Sequence, residues 1–354
     1  MRNNTVVNTS VSKSESGQQS FNVLFTCVGR RVALLRAFRE ALAELNLQGK
    51  LVGADVTVAA PGYHLADVGE LVPQTSDSRY IDALKELVTR HAIRLVVPLT
   101  DLDLICLSRH RDEFAAMGCT VMISSPEAVA ICRNKIHFNS LLTEAGLTGI
   151  RTVSLTEFRQ NSFYPCFVKP ISGSAGIGKA LLRNDHELTA HLATFGEQML
   201  FQDYVPGQEY TLDMYCRRDG VTCAVVPRQR LSIRAGEVEK GITVKDDELV
   251  AAAIQLVKHL PGLWGVVNAQ CRRAPGGPPR FFELNPRFGG GVPLSLAAGV
   301  NLPKLVIQET LGQIIEPRLG QFIDRLLMLR YDEAVFARVD SPELLPGHEE
   351  PFSK

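Results

Sequence analysis

Short apolar runs alternating with amphipathic stretches fill residues 21–125, and this alternation constrains the fold more than any other feature of the chain. Asn22–Cys27 reads as a buried strand, followed by Val28-Gly29-Arg30-Arg31 and a helix to about Asn46. Leu51–Ala54 is a second strand ending in Asp55, and Leu71–Pro73 a weak third. A helix at Ile81–His91 leads to a fourth strand, Leu95–Leu99, ending at Thr100-Asp101. Arg109–Met117 is helical and Thr120–Ile123 is a fifth strand. Buried strands separated by helices predict a parallel, doubly wound α/β sheet. Such sheets bind ligands beyond the carboxyl ends of their strands, which makes Gly29, Arg30, Asp55, Thr100 and Asp101 candidate positions. The alternative is that the Asp and Thr residues cap the helices that follow. The first turn lacks Gly-x-Gly-x-x-Gly, which argues against a dinucleotide, and its adjacent arginines suit an anionic substrate.

The character changes after residue 125. Helices are expected from Pro126 to Ala145, then strand, glycine-rich loop and strand over residues 163–183. Residues 198–230 read as alternating short strands, and Asp246–His259 as a helix. Val266–Arg272 and Phe281–Leu284 form a hairpin-like pair across Ala274–Pro279. A helix follows at about Leu302–Leu311, and Leu326–Arg330 with Val335–Arg338 reads as a closing strand pair. This half is α+β and antiparallel in character.

The 354 residues include 38 Lys and Arg against 38 Asp and Glu. That balance supplies no electrostatic case for nucleic acid or an anionic membrane. No segment approaches the roughly 20 apolar residues that span a bilayer, so a soluble protein is expected. Residues 1–20, rich in Ser, Asn, Thr and Gln, read as a disordered tail. The 8 cysteines are scattered without a Cys-x-x-Cys pair and read as reduced thiols in a cytoplasmic protein.

Two stretches carry chemistry. Lys169-Pro170-Ile171-Ser172-Gly173-Ser174-Ala175-Gly176-Ile177-Gly178-Lys179 nearly spells a phosphate loop. Ala180, however, stands where a hydroxyl should hold magnesium, and the chain continues as strand rather than helix. A glycine-rich hairpin whose N–H groups close over phosphates fits better, with Lys169 beneath them; a flexible surface hairpin is the alternative. The second stretch pairs Asn268-Ala269-Gln270 with Phe281-Phe282-Glu283-Leu284-Asn285-Pro286-Arg287. Pairing of these strands would aim the oxygens of Gln270, Glu283 and Asn285 at one point, an oxygen set suited to Mg²⁺. Arg287, two residues on, would face a transferred phosphoryl group. The alternative is a polar strand end with a surface salt bridge, against which an unpaired charge after two phenylalanines is costly. Between the two stretches, Gln202–Tyr210 offers main-chain groups for an adenine, with Glu209 reaching toward ribose or metal; turn plus strand is its plain reading.

In order and spacing, these residues resemble the ATP-grasp superfamily over about residues 21–312, in particular one unit of the carbamoyl-phosphate synthase large chain. The resemblance rests on Asn134-Lys135, Phe167–Pro170 with its glycine loop, Gln202–Glu209, Asn268-Ala269-Gln270 and Glu283–Arg287. It implies a Rossmann-like pre-ATP-grasp domain at 21–125 and a two-lobed ATP-grasp domain at 126–315. The nucleotide lobe would lie at about 150–205 and a C-terminal extension at 316–354. Lys135 and Lys169 would grip ATP phosphates with Ser172, Gly173, Ser174 and Gly176 of the loop. Gln202, Asp203, Tyr204 and Val205 would hold adenine, and Glu209 the ribose. Gln270, Glu283 and Asn285 would bind Mg²⁺ or Mn²⁺, while Arg287 and Lys169 would be catalytic. Position 270 is glutamine where many relatives carry an acid, and Asp203 stands where glutamate is common.

One ATP-grasp unit without a second copy, and without a biotin-attachment motif, implies a stand-alone ligase that joins a small carboxylate to an amine. Phosphorylation of carbamate or bicarbonate is one alternative, and a non-catalytic ATP-binding regulatory protein another. Arg30 is a candidate for an anionic substrate. Arg234 and Glu237 either grip a carboxylate and an ammonium or belong to a solvated loop. The resemblance suggests a homodimer.

Overall fold

A computed structural model describes residues 20–171, 177–234 and 236–338. Residues 1–19 of the expected tail, Ser172, Gly173, Ser174 and Gly176 of the glycine loop, and residues 339–354 lie outside the described residues.

The first unit is a five-stranded, all-parallel sheet. Its strands are β1 (Asn22–Thr26), β2 (Leu51–Asp55), β3 (Val68–Leu71), β4 (Ile93–Pro98) and β5 (Thr120–Val121), in the order β3-β2-β1-β4-β5. Helices α1 (Val32–Glu44), α2 (Pro61–Leu65), α3 (Tyr80–Arg90) and α4 (Leu104–Ala116) connect the strands. This is the expected doubly wound sheet, with its third strand three residues earlier than read: Val68 pairs with Val52 and Leu71 with Asp55. The order reverses at β1, so the ends of β1 and β4 flank the crevice where such sheets bind ligands.

Helices α5 (Pro126–Arg133) and α6 (Lys135–Glu144) follow. They divide at Asn134, whose extended backbone ends α5 and whose side chain accepts from the N–H groups of Ile136 and His137 to start α6. Short strands β6 (Thr148–Gly149) and β7 (Thr152–Ser154) lead through α7 (Leu155–Gln160) to β8 (Cys166–Pro170), β9 (Ala180–Leu182), α8 (Asp185–Phe195) and β10 (Met199–Asp203). Strands β7-β10-β8-β9 form a small antiparallel sheet. Its core is centred on Phe158 stacked against Phe201, ring centroids 4.3 Å apart.

The remaining strands are β11 (Gln208–Cys216), β12 (Thr222–Arg234) and β13 (Glu237–Thr243), then, after α9 (Asp247–Lys258), β14 (Gly265–Arg273) and β15 (Arg280–Asn285). Helices α10 (Val292–Ala297) and α11 (Leu302–Thr310) precede β16 (Leu327–Leu329). The seven-stranded sheet runs β16-β13-β12-β11-β14-β15-β6. Two expectations are corrected here. Residues 208–234 form two long paired strands, not several short ones, because Tyr210–Tyr215 stays in register with Ala224–Gln229. The closing pair does not form: Leu327–Leu329 adds to β13, while 331–338 carries no strand. That segment includes Asp332, Glu333 and a Phe336 that is 94% exposed, so it has no buried face to pair on.

One core crosses between the units. Phe25 and Phe38 of the first unit pack with Phe288, Val292, Leu302 and Val306 of the second, with Phe38 and Phe288 edge to face at 5.7 Å. Helix α1 therefore lies between the parallel sheet and α10 and α11, and the loop that carries Arg287 is pinned from below.

A buried ion pair braces the long strands. Asp213 takes two hydrogen bonds from Arg228, at 2.7 and 2.9 Å, and one from Ser295 at 2.5 Å. The two side chains of the pair are 0% and 1% exposed. Removing one partner strands the other charge, a cost of about 3–5 kcal/mol. Asp213→Ala is expected to lose that much stability in urea unfolding, and Arg228→Met with Asp213→Leu to lose far less.

Candidate functional site

The seven-stranded sheet sorts chemistry by face because side chains alternate along a strand. In β14, Val267, Ala269 and Cys271 point into a core with Leu212, Met214, Leu284, Phe281 and α9. The intervening Asn268 and Gln270 take the opposite face. There Gln270 is in register with Glu283 and Thr211, and Asn268 with Asn285 and Asp213. A bulge between Gln270 and Cys271 lets Phe281 stay in the core while Glu283 and Asn285 keep the polar face. The three oxygens expected to meet do share one face of one strand pair.

Glu283 is half-buried and makes no hydrogen bond or salt bridge among the described residues. Its charge is nonetheless felt by Lys135, Lys169, Arg230 and Arg287. Gln270 Oε1 accepts from Arg230 Nη1 at 3.1 Å, and Asn285 Oδ1 lies 3.5 Å from Arg287 Nη2. The oxygen set thus has one formal negative charge in a strongly cationic setting. Gln270, Glu283 and Asn285 could hold a divalent ion only together with ligand oxygens such as those of a phosphate. Among the described residues no group of three or more His, Cys, Asp or Glu could hold a metal alone.

The two lysines expected to grip phosphates come from two elements. Lys135 is the first residue of α6, and Lys169 lies in β8 with its ammonium 5.9 Å from the Phe282 ring. Neither makes a hydrogen bond or salt bridge among the described residues. Burial holds Lys135 below the usual lysine range, opposed by Glu283 and reinforced by Arg133 and Lys179. Burial, then Lys135, lowers Lys169 to about 7, with Glu283 opposing and Lys179 adding to the fall. Lys179, met in the sequence only as part of a failed phosphate loop, therefore belongs to this cluster.

Arg287 is fixed across the unit boundary. Its Nε and Nη2 donate to the two oxygens of Asp101 at 2.9 and 2.8 Å, a two-pronged pair. Burial pushes Asp101 up, but Arg287, followed by Arg133 and Arg31, holds it below the usual carboxylate range. Asp101 sits just past β4, where the sequence placed a ligand position or a cap; it anchors an arginine. Asp55 accepts from the N–H of Gly29 at 2.9 Å and so shapes the first turn.

Gln202 is buried and donates to Thr152 at 2.7 Å, while Val205 is buried and Tyr204 exposed. Glu209 is held by Arg230 at 3.2 Å and Arg272 at 3.6 Å. Arg230 had no assigned role in the sequence. Its signal is a pair of arginines, 228 and 230, on one face of a strand, where each needs a buried acid. Arg30, Arg234 and Glu237 line a single cavity of about 850 Å³ beside this site, with Arg330 and residues 331–336 on its far wall. Glu237 joins Arg31 at 3.3 Å and Arg330 at 2.9 Å. A Cβ on Gly290 would lie 2.8 Å from Arg31 Nη1 and 2.9 Å from Glu237 Oε1, so any larger residue there would displace the Arg31–Glu237 pair.

Comparison with known proteins bears on both units. Residues 23–122 match the family described as PylC-like, N-terminal domain, and residues 195–328 match "ATP-grasp in the biosynthetic pathway with Ter operon". A formate-dependent phosphoribosylglycinamide formyltransferase of Synechococcus sp. (strain RCC307) is 27% identical over 53% of this chain and 49% of its own length. The arginine-specific carbamoyl phosphate synthase large chain of Lactiplantibacillus plantarum is 28% identical over 57% of this chain and 21% of its length. The chain therefore spans about half, or less, of the curated relatives it matches. Biotin carboxylase from Campylobacter jejuni superposes with a TM-score of 0.68 at 16% identity, covering 88% of this chain and 75% of that one. An L-amino acid ligase from Bacillus licheniformis gives 0.64 at 18%, covering 84% and 78%. The chain carries an ATP-grasp domain behind a PylC-like N-terminal domain, and the solved structures share its fold.

The Lys169 environment makes a signed prediction. Between about pH 7 and 10 the unfolded chain holds a proton on this lysine that the folded chain does not, so stability rises with pH there. The penalty is fully present below about pH 7. Lys169→Met should therefore be more stable than the parent at about pH 6, by on the order of 3 kcal/mol, with the gap closing toward about pH 10. Urea unfolding across that range checks it.

Proposed function

We propose that this chain is an ADP-forming, magnesium-dependent ligase that activates a carboxylate with ATP and couples it to an amine. The observation that carries the reading is Glu283, a carboxylate without a direct partner among the described residues, within the field of Lys135, Lys169, Arg230 and Arg287 and in register with Gln270. A polyphosphate with its metal satisfies both signs of charge at once. Glu283 and Asn285, with Gln270, would hold the ion, which when bound neutralises charge on the phosphates.

The residues divide the work. Lys135 and Lys169 bind phosphate oxygens, and the anion restores the proton that burial takes from Lys169. A substrate carboxylate oxygen attacks the terminal phosphorus, and ADP leaves with the electrons of the broken P–O bond. The resulting acyl phosphate must be kept from water, the role assigned to the glycine-rich loop at 172–176. An amine nitrogen then attacks the acyl carbon. Arg287, held by Asp101, stabilises the oxyanion until phosphate departs.

The names of the similar proteins, among them carnosine synthase 1 of Gallus gallus at 26% identity over 36% of this chain and 16% of its own length, and an L-amino acid ligase, favour an amine acceptor and amino-acid-like substrates. We further infer a cytoplasmic enzyme, acting as a homodimer on small molecules and not on nucleic acid. Its 8 cysteines are free, and among the described residues no helix is long and apolar enough to cross a membrane.

The test is phosphate release from ATP and Mg²⁺ across a panel of amino acids and small carboxylic acids. Release should depend on particular acids and fall by at least about 100-fold in Glu283→Ala and in Arg287→Met. Bicarbonate alone driving release, with no amide product, would move the assignment to carbamate or bicarbonate phosphorylation. Nucleotide binding without turnover over the whole panel would leave a regulatory ATP-binding protein.

A further inference from the structure

The cavity lined by Arg30, Arg234 and Glu237 is covered by the chain's own acidic segment. Arg330 fixes one end: its N–H donates to Glu239 O at 3.0 Å, and its Nη1 to Glu237 at 2.9 Å and Val238 O at 3.3 Å. Beyond it, Asp332 receives Arg234 in two-pronged fashion, Nη1 at 3.0 Å and Nη2 at 2.5 Å. Glu333 receives Arg36 the same way, with both contacts at 3.2 Å. Two carboxylates on adjacent residues thus occupy two guanidinium groups on opposite walls, one from α1 and one from β12.

Little else holds this segment. Tyr331 and Phe336 are 82% and 94% exposed, and only Val335 of the segment is partly buried. The ion pairs are themselves open to solvent, at 54% and 81% exposure for Arg234 and Asp332 and 57% and 54% for Arg36 and Glu333. Exposed pairs of this kind contribute little and are readily exchanged. The inner wall is different. Glu237 is tied to both Arg31 and Arg330, and Arg31 lies in the fields of Arg287 and Asp101, so this wall is coupled by charge to the Arg287 anchor.

We propose that this cavity is the site of a substrate carrying two carboxylate groups, and that Asp332 and Glu333 hold its place until it arrives. The inference rests on the ligase reading for the chemistry but not for the binding. With the segment displaced, Arg30, Arg36, Arg234 and Arg330 face only Glu237 and Glu239, a surplus of two positive charges that a dicarboxylate neutralises. A two-pronged guanidinium is shaped for a carboxylate, and the segment shows the arrangement that such a ligand would adopt.

The experiment titrates glutarate, a plain dicarboxylate, and butyrate into the full chain without nucleotide, by calorimetry. Asp332→Asn with Glu333→Gln removes the internal competitor, and both sites are exposed enough to leave folding intact. This variant should bind glutarate roughly fivefold tighter than the parent, with butyrate unchanged. Adding Arg234→Gln should abolish the gain. Equal glutarate affinity in parent and variant, or no glutarate binding to the variant, would overturn the proposal. Binding of ADP with Mg²⁺ is measured on the same samples. Its loss would sink the ligase reading while leaving the glutarate result to stand by itself.

Discussion

Charge is unevenly shared out around Glu283, and the arrangement of the site follows from that. Four arginines near the polar face are each paired with an acid: Arg287 with Asp101, Arg228 with Asp213, Arg230 with Glu209, and Arg31 with Glu237. Lys135, Lys169 and Lys179 have none among the described residues, and burial already strips Lys169 toward neutrality. Of these only Lys169 is buried, and burying it without a counter-charge is costly unless an anion joins it. The arginines are thereby turned into fixed scaffold, and the lysines remain available to an anion.

The scaffold is built across the boundary between the two units. Asp101 lies just past a strand of the parallel sheet, yet it orients Arg287 at the end of the antiparallel pair β14–β15. Phe38 and Phe288 pack directly beneath that link. Gly290 and Gly291 allow the loop to lie against Arg31 and Arg228, since a Cβ on Gly291 would come within 2.2 Å of Arg228 Nη1. Neither unit alone would present Arg287 in a defined direction. The N-terminal unit therefore sets the direction of Arg287 through Asp101.

What could be read in the sequence follows this division. Local periodicity was enough for the parallel sheet and for the pairing of Asn268-Ala269-Gln270 with Glu283–Asn285, because alternation puts those polar groups on one face. The glycine-rich loop and the Glu283–Arg287 motif singled out Lys169 and Arg287, and Lys135 came from the family resemblance and not from periodicity. None of these could supply the partner of Arg287, which lies 186 residues away, nor the role of Arg230, whose acid sits on a neighbouring strand. The expected strand at Val335–Arg338 failed because its apolar residues meet no sheet edge. The edge of β13 was already taken by Leu327–Leu329. Helix α8 went unread because its apolar residues make only a weak stripe, with Leu188 and His191 as its buried positions.

The account predicts a covalent passage of oxygen that no binding protein or simple nucleotide hydrolase would show. The most direct measurement uses the carboxylate that drives ADP formation, labelled with ¹⁸O in its carboxyl group, and reads the released phosphate by mass spectrometry. Attack of that carboxylate on ATP transfers one labelled oxygen to each phosphate, and the account predicts this transfer. Phosphate free of label, with ADP formed at the same rate, would mean that water is the nucleophile and would contradict the acyl phosphate on which the reading rests.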